Sequence, residues 1–175
     1  MVATDSVKDL QTYLTEHAKM QLFCYNLSSN ADRLGFPGFS HYFQVQGQDE
    51  VLHQRRIMNF MMQSDVHFQL DSLTLPEYKK YNNLKEIVEA YKEKRTYFAE
   101  LTNKLAKDAS TRNDLTTTKF YDWFIIDFSE ELGEIKDLLD WIAMSNGDYY
   151  DLDKKVLKRE EPNTLLVIEP FSPHK

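Results

Sequence analysis

The sequence predicts an all-α fold, a four-helix bundle with one long crossover, on three observations. Glycine and proline number five each in 175 residues, about half their usual combined share. Neither occurs between Pro76 and Gly133. Apolar residues recur at three- and four-residue spacing, the period of a helix with one buried face.

Thr4 or Asp5 can cap a first helix that runs to about Arg33, where Gly35, Pro37 and Gly38 force a turn. A second helix follows from about Phe39 to Val66, and the stretch from His67 to Asn82 is too long for a tight turn. With Leu73, Leu75, Pro76 and Tyr78 it reads as a partly apolar crossover lying on the bundle surface. A third helix covers about Asn83 to Asp108, a polar turn spans Ala109 to Asn113, and a fourth helix runs to Ser145 before Asn146 and Gly147 end it. A short fifth helix, about Tyr149 to Glu160, is closed by Pro162. This divides the chain into a bundle with its fifth helix, residues 1–161, and an extended C-terminal tail, residues 162–175.

Charge and composition exclude several functions. With 28 acidic and 21 basic residues the net charge is −7, which argues against nucleic-acid binding, because phosphate contacts need clustered Lys and Arg. Cys24 is the only cysteine, so no intramolecular disulfide can form. The opening MVATDSVKDL is charged where a leader would be apolar, and no stretch approaches a membrane span of about 20 apolar residues. The expectation is a cytoplasmic protein without membrane contact. Met58, Met61 and Met62 read as core filler, and His41, His67 and His174 as surface residues.

The buried stripes are interrupted by ionisable residues near the helix midpoints: His17 on the first helix, Glu50 and His53 on the second, Lys94 on the third, Asp127 and Glu131 on the fourth. In an up-and-down bundle these midpoints share one height, so the residues form a single polar layer. Burying such charges is costly unless they pair or bind a metal. Glu50 and His53, three apart, project from one face, an arrangement used for metal ligands in carboxylate-bridged bundles.

Here the residues resemble a family. GFPGFSHYFQVQGQDEVLHQRR, Gly35 to Arg56, is similar to the second-helix signature of bacterial non-haem ferritins, and YDWFIIDFSEE, Tyr121 to Glu131, to their fourth-helix signature. The resemblance covers about Leu10 to Glu160. It implies a homo-oligomeric shell of 24 subunits that stores iron as ferric mineral, and a two-iron centre with ferroxidase activity. By this resemblance Glu50, His53 and Glu131 retain catalytic positions, whereas His17 replaces a first-helix Glu, Lys94 a third-helix Glu, Phe128 a fourth-helix Gln and Cys24 a supporting Tyr. Leu52 stands where haem-binding relatives carry Met, so haem is not expected.

His17, Glu50 and His53 make a two-histidine, one-carboxylate set able to hold one Fe(II), with Zn(II) as an in vitro substitute. Lys94 brings positive charge where a second cation would sit. Three readings of the layer stay open: an ion-pair network without metal, one metal on His17, Glu50 and His53, or a working two-metal centre. Asp49, Asp127, Glu130 and Glu131 match carboxylates of an additional iron site in some bacterial ferritins and form a second candidate group. The resulting expectation is an iron-storage cage subunit with weak or absent ferroxidase activity. The alternative is a structural cage with little iron that binds partners through its tail.

Overall fold

The computed structural model describes residues 2–70, 72–75 and 77–174. Pro76, assigned to the crossover, and Lys175, at the end of the tail, lie outside the described residues. Four long helices, α1 (Thr4–Arg33), α2 (Pro37–Gln63), α3 (Leu84–Thr111) and α4 (Leu115–Met144), precede two short ones, α5 (Tyr150–Val156) and α6 (Thr164–Ile168). The hairpins α1–α2 and α3–α4 form the bundle, and α5 and α6 both pack on α2.

Local chemistry sets the helix ends. Asn83 caps α3 by accepting the Glu86 N–H, while the Glu86 carboxylate accepts the Asn82 N–H at 2.9 Å. Asp114 caps α4 through the Thr117 N–H at 3.1 Å and also accepts the Ala3 N–H at 2.9 Å, tying the starts of α1 and α4 together. Thr4 and Asp5 are already helical, and the α1 N-cap is Ala3, without a side-chain cap. Asn113 and Asn146 adopt positive φ at the ends of the bundle's last two long helices, a conformation asparagine tolerates well. The crossover is fastened to α1, since Asn30 bonds the backbone of Lys79 and Tyr81 and Arg33 bonds the Tyr81 carbonyl.

Two expectations about the C-terminus change. The fifth helix closes at Val156, short of Glu160. Residues 162–174 are not simply extended: Asn163 caps α6, and the segment folds back along α2. Arg56, almost fully buried, holds it by donating to the carbonyls of Val167 and Pro170, each at 2.9 Å, and Ser172 at 3.2 Å. Of Met58, Met61 and Met62, expected as core filler, only Met61 is fully buried, and Met62 faces solvent.

Gly38 lets α5 approach the start of α2. The Asp153 carboxylate accepts the N–H groups of Gly38 and Phe39 at 2.9 Å each, and a Cβ on Gly38 would collide with the Asp153 backbone. Gly38→Ala is therefore expected to push α5 off the bundle and cost about 1–3 kcal/mol, the range for overpacking. A denaturant midpoint unchanged from the parent would show that the contact yields freely.

Candidate metal centre

The core of the bundle is aromatic, and its polar layer is set into that core. His17, Glu50, His53 and Arg95 are all fully buried, and Glu131 is 6% exposed. The row of α3 that faces inward is Tyr91, Arg95, Phe98, Thr102 and Leu105. This corrects the placement of Lys94, which is exposed and lies over the rings of Phe23 and Tyr97. The buried cation is its neighbour.

Arg95 joins the carboxylates of two helices. Its Nη2 donates to Glu50 Oε1 at 2.6 Å, and its Nε lies 2.5 Å from Glu131 Oε2, off the axis of its N–H. Phe128 forms a floor for the guanidinium, whose carbon sits 4.6 Å from the ring centroid, a cation–π placement that favours the charged form. The other oxygen of Glu50 meets His17 Nδ1 at 2.6 Å. Gln46 donates to the Tyr91 hydroxyl at 2.6 Å, and that hydroxyl reaches toward Glu131 at 3.4 Å.

These contacts fix the charges. Burial opposes ionisation of Glu50, but Arg95 and His53 outweigh it and hold its carboxyl well below the usual range. Burial brings His17 down to about 4, so it is neutral near pH 7 and its Nδ1–H donates to Glu50. Burial also opposes the charged form of His53, yet Asp49 and Glu50 prevail and raise it well above its ordinary value. Buried Cys24 has its thiol pushed well up by desolvation, away from a reactive thiolate.

A dication pair does not fit this centre. Both oxygens of Glu50 are taken, one of them by a guanidinium that also faces Glu131, and an arginine stays protonated in proteins. A lone metal on His17, Glu50 and His53 is a convergent possibility by position, since one donor atom from each lies within 4.8 Å of the others. Tetrahedral bonds of about 2.0–2.1 Å set donors roughly 3.3 Å apart, however, and the 2.6 Å contact between His17 and Glu50 is a hydrogen bond that an ion would have to break.

The acidic group is also rearranged. Glu131 is committed to Arg95, and the Glu130 side chain is 61% exposed. Asp49 and Asp127 instead meet on the outer nitrogen of His53, each with a carboxylate oxygen 3.4 Å from Nε2. The sequence reading missed His174, expected on the surface: its side chain is 9% exposed and its Nε2 lies 3.0 Å from Asp127 Oδ1. His41, by contrast, contacts the Arg159 carbonyl at 3.0 Å, and His67 is exposed. Asp49, Asp127 and His174 line a groove of about 660 Å³ between α2, α4, α5 and the tail.

Acid should expose the cost of burying His17. Its folded value near 4 lies below the unfolded value of about 6.5, so between these values the unfolded chain takes a proton that the folded chain refuses. The His17 contribution to stability then falls with pH by about 1.4 kcal/mol per unit, roughly 3 kcal/mol in all by pH 4, while Glu131, whose carboxyl burial raises to about 8, pulls the other way over the same range. His53 does not offset this, because its raised value makes its contribution complete below pH 6.5 and lost only at higher pH. Urea titrations at pH 6.5 and 4.5 should show a smaller loss in His17→Asn than in the parent; equal losses would mean that His17 is not the group responsible.

Antiparallel helices that converge carboxylates and histidines on one buried layer define the carboxylate-bundle class. The chain belongs to the ferritin family, whose ferritin-like domain matches residues 7–145. It is 23% identical over 141 residues to the bacterial non-heme ferritin of Staphylococcus epidermidis, covering 79% of this chain and 80% of that protein. A probable bacterial non-heme ferritin-like protein of Haemophilus influenzae is 21% identical over 148 residues, covering 81% and 89% respectively. Among solved structures, an engineered closed form of the Archaeoglobus fulgidus ferritin superposes with a TM-score of 0.88 at 19% identity, covering 93% of this chain and all of that one. The open-pore ferritin of the same archaeon gives 0.87 at 20% identity, covering 91% and 100%. The fold is therefore that of a ferritin. Among the described residues no helix is long and apolar enough to cross a membrane.

Proposed function

We propose that this chain is an iron-storage shell subunit of the cytoplasm whose own bundle centre oxidises Fe(II) weakly or not at all. The observation that carries the reading is Arg95, whose guanidinium spans Glu50 and Glu131 in the buried layer. Iron is then cargo, taken up through carboxylates that line the groove, Asp49 and Asp127 among them, and mineralised without a two-metal centre in this chain. Support for storage comes from the family and from relatives named bacterial non-heme ferritins. Support for a closed shell, taken as 24 subunits by resemblance, comes from the near full-length superposition on ferritins and from apolar side chains left on the crossover and α5, including Leu70, Leu75, Tyr78 and Tyr150.

The competing reading, a cage with little iron that binds partners, draws on the exposed Leu165 and Phe171 of the folded-back tail. Iron content of protein purified from iron-fed cells separates the two, with shell mass measured by light scattering and aerobic Fe(II) oxidation by stopped-flow absorbance. Storage predicts an iron-loaded shell with oxidation close to the uncatalysed rate. An iron-poor shell would favour the partner-binding reading, rapid oxidation would overturn the inactive centre, and monomers or dimers at neutral pH would overturn both cages.

A further inference from the structure

We propose that residues 163–174 form a hinged strap, an opening unit separate from the bundle, which governs the access of small solutes to Trp123 and to the His53 edge of the polar layer. The proposal goes beyond iron storage, since the strap works in the same way in a shell with or without iron.

The strap is held mostly by polar contacts. Of its described leucine, isoleucine, valine and phenylalanine side chains only Val167 is buried, while Leu165, Leu166 and Phe171 are exposed. Phe171 meets Phe60 edge-on, with ring centroids 5.7 Å apart. The remaining grip comes from three side chains of α2 and α4. Arg56 donates to the carbonyls of Leu166, Val167, Pro170 and Ser172, Asn59 donates to that of Ile168 at 3.0 Å, and Asp127 meets His174 at 3.0 Å. The segment has little structure of its own: α6 has five residues, well short of the roughly 12–15 below which isolated helices are marginal in water. A segment with few buried apolar contacts opens at a lower free energy than the domain as a whole.

The pivot is also defined. Arg159 pairs with Glu134 at 3.0 Å and its carbonyl meets His41 at 3.0 Å, which ties the chain just after α5 to α4 and α2. The folded part of the strap begins at Asn163, whose side chain caps α6. Glu160 and Glu161 lie exposed between these two points, so the strap swings there while α5 stays docked.

Closed, the strap is a wall of the groove, which Leu166, Val167, Pro173 and His174 line together with Asp49 and Trp123. The His174 ring is centred 5.2 Å from that of Trp123, the guanidinium engaged by the strap lies 4.3 Å from the same indole, and the His53 ring lies 5.5 Å from it on the inner side. With the strap in place Trp123 is 8% exposed. Opening removes this wall and bares the indole, and with it the edge of the polar layer. The motion is a thermal fluctuation of the native state and needs no ligand.

Hydrogen exchange on the full-length protein reads the opening. Amides of residues 163–174 should be protected at least about 100-fold less than the inner amides of α2, through a step insensitive to urea below the unfolding transition. Acrylamide quenching of Trp123, isolated by Trp141→Phe, reads the shielding. Val167→Asp puts a charge at the buried anchor and leaves Arg56 and His174 in place; it should speed exchange in the strap and make Trp123 several-fold easier to quench, with α2 still protected. Leu165→Asp, on the exposed side, should alter neither reading. Strap amides as protected as those of α2 in the parent, protection of α2 lost together with that of the strap in Val167→Asp, or Trp123 as well shielded in that variant as in the parent would each overturn the proposal.

Discussion

Arg95→Ala is expected to lower the unfolding free energy by about 3–5 kcal/mol, the cost of removing one partner from a buried ion pair. The guanidinium lies between Glu50 and Glu131 in a layer closed to solvent, so its loss leaves Glu131 without its counter-charge and Glu50 with that of His53 alone. Lys94→Ala, one residue away on the exposed face, should change stability by no more than about 0.5 kcal/mol. Urea midpoints of the two variants provide the comparison, and equal effects would show that Arg95 does not hold the layer.

Arg95→Glu sharpens the test. It places a third carboxylate in the same space, so the metal-free variant should be at least as unstable as Arg95→Ala. Divalent cations should then restore stability, by about 2.7 kcal/mol at a hundred times the dissociation constant. Combined with Phe128→Gln, which removes the ring under the guanidinium, this is the change expected to raise Fe(II) oxidation; Lys94→Glu should not.

The second large effect is expected at Arg56. Its guanidinium lies 4.3 Å from the centroid of the Trp123 ring and donates to four carbonyls of the tail, those of Leu166, Val167, Pro170 and Ser172. Burial draws its pKa down to about 10, and among the described residues no carboxylate pairs with it. Hydrogen bonds to a charged donor contribute about 1.5–3 kcal/mol each. Because the freed carbonyls regain water, Arg56→Ala should cost only about 2–3 kcal/mol, less than the sum of four such bonds. Residues 163–174 should then exchange amide hydrogens rapidly and become open to proteases. Arg56→Lys should not rescue the tail, because one ammonium cannot fork to separated carbonyls while stacking on an indole. A tail that stays protected in Arg56→Ala would assign its anchoring to Val167, Asn59 and the Phe60–Phe171 contact instead.

The four long helices and the crossover were legible because scarce turn formers and a regular apolar period are properties of single segments. So was the convergence of His17, Glu50 and His53, which needs only helix midpoints at one height. The choice between Lys94 and Arg95 was not. From Tyr91, both three and four residues onward stay on the inner face of a helix, and the decision depends on which row continues inward. The row through Phe98, Thr102 and Leu105 does so, with Thr102 satisfied by the Phe98 carbonyl and the Tyr13 hydroxyl. Arginine's planar, forked donors, suited to paired carboxylates, were the one signal that favoured position 95. His174 was out of reach for another reason: it meets Asp127 across 47 positions of sequence, and helical spacing says nothing about contacts between separate elements.

A guanidinium at the middle of a bundle is delivered with the chain itself. Glu50 therefore receives its positive neighbour as the helices close, whatever the supply of dissolved cations, and no chelator can withdraw it. If the proposed storage shell forms, a cell short of iron would still make subunits with this layer internally neutralised, so the building of the wall would be uncoupled from the abundance of what the wall encloses.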